Sequence, residues 1–208
     1  MNNHMNIAND SIDCLGVVLA GGLSSRMGKN KATLMRNHVD MLTFSKQLLK
    51  DAGLNKVIVS GSSQHSENNT AEHAKNYAET IADKVHQAGP VGGIFSVLQQ
   101  YTPKSLLILP VDLPLMTAEA LKKLMITGQL SNKACFYQDH HIPLYLPNNA
   151  YLELFLKQSF SQYQHSTDLN KNKRGPSMRA LLQQMPHQIL PTASATKKGA
   201  QILFNTNT

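Results

Sequence analysis

Between Leu15 and Leu34 the sequence runs LGVVLAGGLSSRMGKNKATL, and its residue types are those that can hold a polyphosphate. Gly21 and Gly22 let the backbone approach a ligand and take φ values that a Cβ closes to other residues. Ser24, Ser25 and the backbone N–H groups can donate to anionic oxygens, while Arg26, Lys29 and Lys31 bring positive charge to the same loop. The two commonest phosphate loops do not fit. A Walker A loop has four residues before its Gly-Lys pair and a Ser or Thr after it, whereas five separate Gly22 from Gly28 and Asn30 follows Lys29. The dinucleotide glycine spacing is absent as well. The competing reading is a glycine-rich turn followed by a solvated basic face.

A second candidate is Asp112, in the segment PVDLP behind the apolar run Ser105 to Leu109 (SLLIL). A carboxylate beside a triphosphate is a natural Mg²⁺ ligand, because Mg²⁺ binds through one or two carboxylates and the phosphate oxygens. Metal and Lys31 together would offset charge on the α-phosphate and on departing pyrophosphate. Alternatively Asp112 and Pro114 make only a turn and a helix N-cap.

Both candidates must be carried on strands. Leu15 to Leu19 reads as a short buried strand ending at the glycines, and Ser105 to Leu109 as another ending just before Asp112. In open α/β sheets, ligands sit outside the carboxyl ends of the strands, which is where these residues fall. Further strands are expected at Lys56 to Ser60, Ala78 to Ala82, Lys133 to Tyr137, Ile142 to Leu146, around Ile189 and Leu190, and from Ala200 to Asn205. The pair on either side of Gln138 to His141 is expected to associate.

Helices are expected at Val39 to Ala52 with Gly53 as the stop, at Ile94 to Gln100 after the turn GPVGG (Gly89 to Gly93), and at Thr117 to Thr127 capped by Thr117. Two more are expected at Tyr151 to Gln158 and from Pro176 to about Met185. Residues 61 to 76 carry little pattern and are read as loop with some helix, and the polar segment Ser159 to Gly175 as a mobile loop over a site. Short strands alternating with helices predict an α/β fold, a three-layer α/β/α sandwich around a mostly parallel sheet.

Composition narrows the partners. The 208 residues suit one domain, expected over 13 to 208 behind a loose, Asn-rich extension at 1 to 12. A formal charge of +7 favours an anionic partner, or reflects a general solubility bias. With aromatics at 6%, no Trp and no basic run interleaved with aromatics, a stacking platform for nucleic acid is not expected. The apolar run at Leu15 is far too short to span a bilayer, and no signal peptide is legible, so no membrane association is expected. Cys14 and Cys135 are widely separated, lack metal-ligand spacing and read as small buried residues, which suits a reducing cytoplasm.

The stretch from Leu19 resembles the signature of nucleotidyltransferases of the Rossmann-like nucleotide-diphospho-sugar transferase fold. Leu19 to Gly22, Ser24, Arg26 to Gly28 and Lys31 match it. Within that fold the sequence is most similar to the molybdenum cofactor guanylyltransferase family. Pro110, Asp112 and Pro114 match that family's second signature, with Val111 where many relatives have Cys. Gly89, Pro90, Gly92 and Gly93 match a turn used near base and ribose. Asp83 falls where relatives place an Asp that contacts the nucleotide, and Ser60 stands where they place an Asn. Asn205 and Asn207 match an Asn-x-Asn motif near the second substrate, although the acidic helix that usually follows it is not present before Thr208. Ile142 replaces the family's His before Pro143, so the displaced His140 and His141 are assigned no role.

The resemblance implies transfer of GMP from GTP to molybdopterin, with release of pyrophosphate and formation of molybdopterin guanine dinucleotide. It implies Arg26, Lys31 and Asp112 as catalytic residues, Asp112 as the Mg²⁺ ligand, and Leu19, Ala20, Gly21, Gly22, Ser24, Lys31, Ser60, Asp83, Gly92, Gly93, Asp112, Asn205 and Asn207 as binding residues. The basic cluster of Lys173, Arg174 and Arg179 reads either as a hold on the terminal phosphate of molybdopterin or as a solvated charge run. A cytoplasmic monomer meeting molybdenum insertion proteins and molybdoenzyme chaperones is the implied setting. Cytidylyl transfer to molybdopterin and sugar-1-phosphate nucleotidyl transfer are the alternatives within the fold. Gly21-Gly22, where CTP-using relatives have a second alanine, favours GTP. A non-catalytic nucleotide-binding protein is the alternative outside it, and intact Arg26, Lys31 and Asp112 argue against that.

Overall fold

Continuous burial along the apolar runs builds a sheet with helices on both faces. The computed structural model describes residues 12–20, 35–36, 39–61, 79–85, 88–165 and 175–192. In chain order the strands are β1 (Cys14–Leu19), β2 (Met35–Arg36), β3 (Val39–Asp40), β4 (Val57–Ser60), β5 (Thr80–Ile81), β6 (Ser105–Pro110), β7 (Ala134–Tyr137), β8 (Leu144–Pro147) and β9 (His187–Leu190). The helices are α1 (Met41–Asp51), α2 (Gly89–Leu98), α3 (Ala118–Ser131), α4 (Ala150–His165) and α5 (Met178–Gln183). The main sheet has seven strands in the order β5-β4-β1-β6-β8-β7-β9, and β2 and β3 form a separate antiparallel pair. Among the described strands of the main sheet, β8 alone runs against its neighbours.

Both faces are covered, as the expected three-layer sandwich requires. Leu15, Val17 and Leu19 of β1, with Leu106 and Ile108 of β6, pack under α2, α4 and α5. The intervening Val18, Leu107 and Leu109 pack under α1 and α3. Each such side chain withdrawn from water is worth roughly 1.5–3 kcal/mol, so burial on both faces is a large part of what holds the sheet together. Gly16 lies at the tight point of the sheet, where a Cβ would stand 3.0 Å from Val57 Cγ2. Among the described residues, no helix is long and apolar enough to cross a membrane.

Several boundaries differ from expectation, among them the end of α3, which runs on from Thr127 to Ser131. α1 begins at Met41 rather than Val39, because Asp40 caps it, accepting from Thr43 N and Thr43 Oγ1 at 2.8 Å each. Val39 and Asp40 pair instead with Met35 and Arg36. α2 takes in the whole GPVGG turn, starting at Gly89 rather than Ile94, with Pro90 in its first turn, where a missing N–H costs no hydrogen bond. α4 runs to His165, so the expected loop from Ser159 is helical for its first part. Phe160 is 1% exposed and its ring stacks on Phe95 at 4.4 Å, which pulls that stretch onto the core. α5 is shorter than expected, starting after the cap Ser177, so Pro176 precedes the helix.

β7 and β8 pair as expected, and they do so antiparallel. The expected extension at 1 to 12 (all but its last residue), the expected strand from Ala200 to Asn205 and most of the segment read as loop at 61 to 76 lie outside the described residues.

Candidate active site

The sheet reverses its winding direction between β1 and β6. From β1 the chain moves outward through β4 to β5, then returns to place β6 on the other side of β1. Leu19 is level with Ser60 on one side and with Pro110 on the other. Three strand ends therefore stop on one line. Ala20 N donates to Ser60 O at 2.8 Å, and Val111 N donates to Leu19 O at 3.2 Å, locking the segments that leave the sheet. Such a switch point is where doubly wound folds open a crevice for ligands.

Asp112 is half-buried two residues past the end of β6, across the switch point from Ala20. It does not cap the following helix: Thr117 does, accepting from Ala120 N at 3.3 Å. Leu19 is a core residue at 7% exposure, so its backbone rather than its side chain is what a ligand could reach.

On the other flank, Ser60 ends β4 and Asp83 follows β5. The Ser60 hydroxyl, 1% exposed as a residue, donates to Asp83 Oδ1 at 3.0 Å. Gly92 and Gly93 lie in the first turns of α2, Gly93 against Ser60 and Gly92 against Ala88. A Cβ on Gly93 would stand 2.5 Å from Ser60 Oγ and 3.2 Å from Leu19 Cδ2, and one on Gly92 would stand 2.4 Å from Ala88 Cβ. Gly89 has φ +63°, a value that favours glycine. The glycines of the GPVGG turn thus serve a turn and two close approaches.

The structure brings together Leu19, Ala20, Ser60, Asp83, Gly92, Gly93 and Asp112 along the carboxyl ends of β1, β4, β5 and β6. Gly21, Gly22, Ser24, Arg26, Lys31, Asn205 and Asn207 lie outside the described residues, as do Lys173 and Arg174. Arg179 is exposed on α5. The neighbouring Gly175 packs so closely on Ala88 that a Cβ would stand 2.5 Å from Ala88 Cα. That contact brings the start of α5 beside the start of α2. The hairpin carrying His140 and His141 joins β7 to β8; His141 is exposed, with its ring 6.2 Å from Phe136.

Sequence reasoning passed over Ser96. Fully buried in α2, it accepts from Lys84 N at 2.8 Å and donates to Gly92 O at 2.9 Å, tying the Asp83 loop to the helix. Its signal was a lone hydroxyl inside an apolar helix, four residues after Gly92. Among the described residues no cluster of three or more His, Cys, Asp or Glu could hold a metal ion. That donor set fits an ion bound by one carboxylate and by phosphate oxygens, and does not fit a protein cage of several ligands.

Fold and site together define a doubly wound α/β domain whose candidate site lies at the carboxyl ends of β1, β4, β5 and β6. Residues 16–188 match the family model described as the MobA-like NTP transferase domain, and the chain belongs to that family. It is 38% identical over 136 residues to the molybdenum cofactor guanylyltransferase of Xanthomonas euvesicatoria pv. vesicatoria, a match covering 65% of this chain and 65% of that relative, just short of two thirds of its length. The molybdopterin-guanine dinucleotide biosynthesis protein A of Archaeoglobus fulgidus shares the fold, with TM-score 0.69 and 19% identity over 93% of this chain and 92% of that one. A Mycobacterium tuberculosis protein solved in complex with manganese is more distant, with TM-score 0.52 and 16% identity over 86% and 89% of the two chains.

Proposed function

We propose that the chain transfers GMP from GTP to the terminal phosphate of molybdopterin, forming molybdopterin guanine dinucleotide and releasing pyrophosphate. The observation that carries this reading is the convergence of Ala20, Ser60, Asp83, Gly93 and Asp112 on one switch point, in a chain of the NTP transferase family. The guanylyltransferase relative supplies the choice of substrates.

In this reading the loop from Ala20 to Lys31 wraps the triphosphate, and Arg26 and Lys31 offset its charge. The turn at Gly89 to Gly93 and the Asp83 carboxylate receive the nucleoside, and Asp112 holds Mg²⁺. That ion would supply Lewis-acid stabilisation of charge on the α-phosphate and on departing pyrophosphate. A molybdopterin phosphate oxygen attacks the α-phosphorus as the bond to the β-phosphate oxygen breaks. The attacking phosphate is already largely ionised near neutral pH, so no side chain need act as general base. The work left to the protein is positioning and charge stabilisation. Asn205 and Asn207 are assigned to the second substrate on the family motif.

Titration calorimetry with GTP, CTP, ATP and UTP in the presence of Mg²⁺ tests the base preference, and tightest binding of GTP is expected. A clear preference for CTP would replace guanylyl by cytidylyl transfer. Pyrophosphate release that depends on both GTP and molybdopterin tests the reaction; nucleotide binding without such release would make the chain a binding protein.

A further inference from the structure

We propose that Ser60 is a positioning residue, holding the Asp83 carboxylate in the direction that nucleotide binding needs, and that Gly93 is glycine because Ser60 must keep its place. The proposal rests on the nucleotide-binding reading above. Ser60 is 1% exposed, and a buried hydroxyl without a partner costs free energy, so its hydrogen bond is an obligation of the fold. The proton goes to Oδ1 of Asp83, 23 residues further along the chain and 3.0 Å away.

Asp83 itself is exposed, on the loop after the two-residue edge strand β5. The Ser60 hydrogen bond narrows the rotamers open to this exposed carboxylate, and whatever ordering is done before the ligand arrives does not count against affinity. With Oδ1 held by Ser60, the direction of Oδ2 is set. The backbone beneath is fixed too, by Gly61 N donating to Ile81 O at 3.1 Å and Lys84 N donating to Ser96 Oγ at 2.8 Å.

Gly93 closes the third side. A methyl group there would stand 2.5 Å from Ser60 Oγ, with Leu19 Cδ2 at 3.2 Å, so the hydroxyl would have to leave its place. Ser60 has no comparable route to the nucleotide on its own account. It lies under the surface with its proton committed, and its effect reaches the ligand through Asp83.

The test is a double-mutant cycle of Ser60→Ala and Asp83→Ala, read by GTP calorimetry and steady-state kinetics. Ser60→Ala is expected to weaken GTP binding by about three- to tenfold, the scale of one lost hydrogen bond. The loss should appear in KM rather than kcat, and in the Asp83→Ala background the same change should add nothing. Gly93→Ala should reproduce the Ser60→Ala loss. Ser60→Cys fills the same space with a weak donor and is expected to show the same weakening, so it serves if the alanine variant does not fold. Losses that multiply in the double mutant, or unaltered GTP binding by Ser60→Ala, overturn the positioning role while leaving the nucleotide reading intact. A wild-type chain that binds no nucleotide overturns both.

Discussion

Asp112 is the residue on which the reading of chemistry depends most. Its place was legible because two local signals coincide: a strongly apolar strand and a carboxylate just beyond its end. The competing role as a helix cap was equally open in the sequence, since Asp serves both. The structure gives that cap to Thr117, five residues later. Asp112→Asn keeps the size of the side chain and removes the charge that would hold a divalent ion. Turnover is expected to fall at least a hundredfold, the consequence of losing about 3 kcal/mol of transition-state stabilisation. The melting temperature should stay within a few degrees of wild type, because the residue is only half-buried. Kinetics over a range of Mg²⁺ concentrations, with a thermal melt of each protein, check this. Near-normal turnover at ordinary Mg²⁺ would reduce Asp112 to a turn residue.

Elements were more legible than their ends. Strands β1, β4, β6 and β7 declare themselves as short apolar runs, because a sheet covered on both faces needs no polar alternation. Helix starts depended on which residue wins a contest of hydrogen bonds. Asp40 could continue a helix begun at Val39, yet its carboxylate gains two partners as a cap, and the helix yields two residues. GPVGG looks like a turn by composition, but Ala88 and Ser60 need close neighbours without a Cβ, and a helical backbone supplies them. Ser159 to His165 looks polar enough for a loop, and one buried aromatic, Phe160, holds it as helix. The Asp40 cap is a local contact, but the close approach at Gly93 and the Phe160–Phe95 stack are tertiary and cannot be read from local pattern.

The same physics makes Gly128 a sharp test of the α3 packing. A Cβ there would stand 2.0 Å from Tyr145 Cδ1, and that ring is buried at 4% exposure between helix and sheet. Alanine improves helix propensity by up to about 1 kcal/mol, but forcing the ring aside costs roughly 1–3 kcal/mol, so overpacking wins. Gly128→Ala is expected to lower the urea midpoint with an unchanged m-value. A raised midpoint would mean that α3 can move off β8 without penalty.

The buried ionisable groups give the whole molecule a pH limit on the alkaline side. Burial pushes the Cys135 thiol from 9.0 to about 11. It pushes the Tyr137 hydroxyl from 10.0 to about 12, with the neighbouring Cys135 adding to the rise. Tyr137 also donates to Ala120 O at 2.9 Å, a bond that its ionisation would abolish. Cys14 and Tyr145 are raised as well, each mainly by burial. All four groups are neutral in the fold and lose protons more readily when unfolded. Above pH 9 the unfolded chain therefore binds fewer protons than the native one, and stability falls as pH rises. Lys46 acts in the opposite sense, its pKa lowered by burial, but one half-buried amine opposes four groups. The displacement of Cys135 alone corresponds to roughly 2–3 kcal/mol, present in full below pH 9 and gone above about 11. The melting temperature should hold steady from neutrality to about pH 8.5 and then drop through pH 9 to 11. Cys135→Ala should melt lower at neutral pH, because a packed sulfur is lost, yet show a shallower decline between pH 9 and 10, leaving the steeper fall to the pH range where Tyr137 titrates in the unfolded chain. Melts of both proteins at half-unit intervals decide it. Parallel curves would show that Cys135 ionises no more easily in the unfolded chain than in the native sheet, and that the alkaline limit is set by the other buried groups.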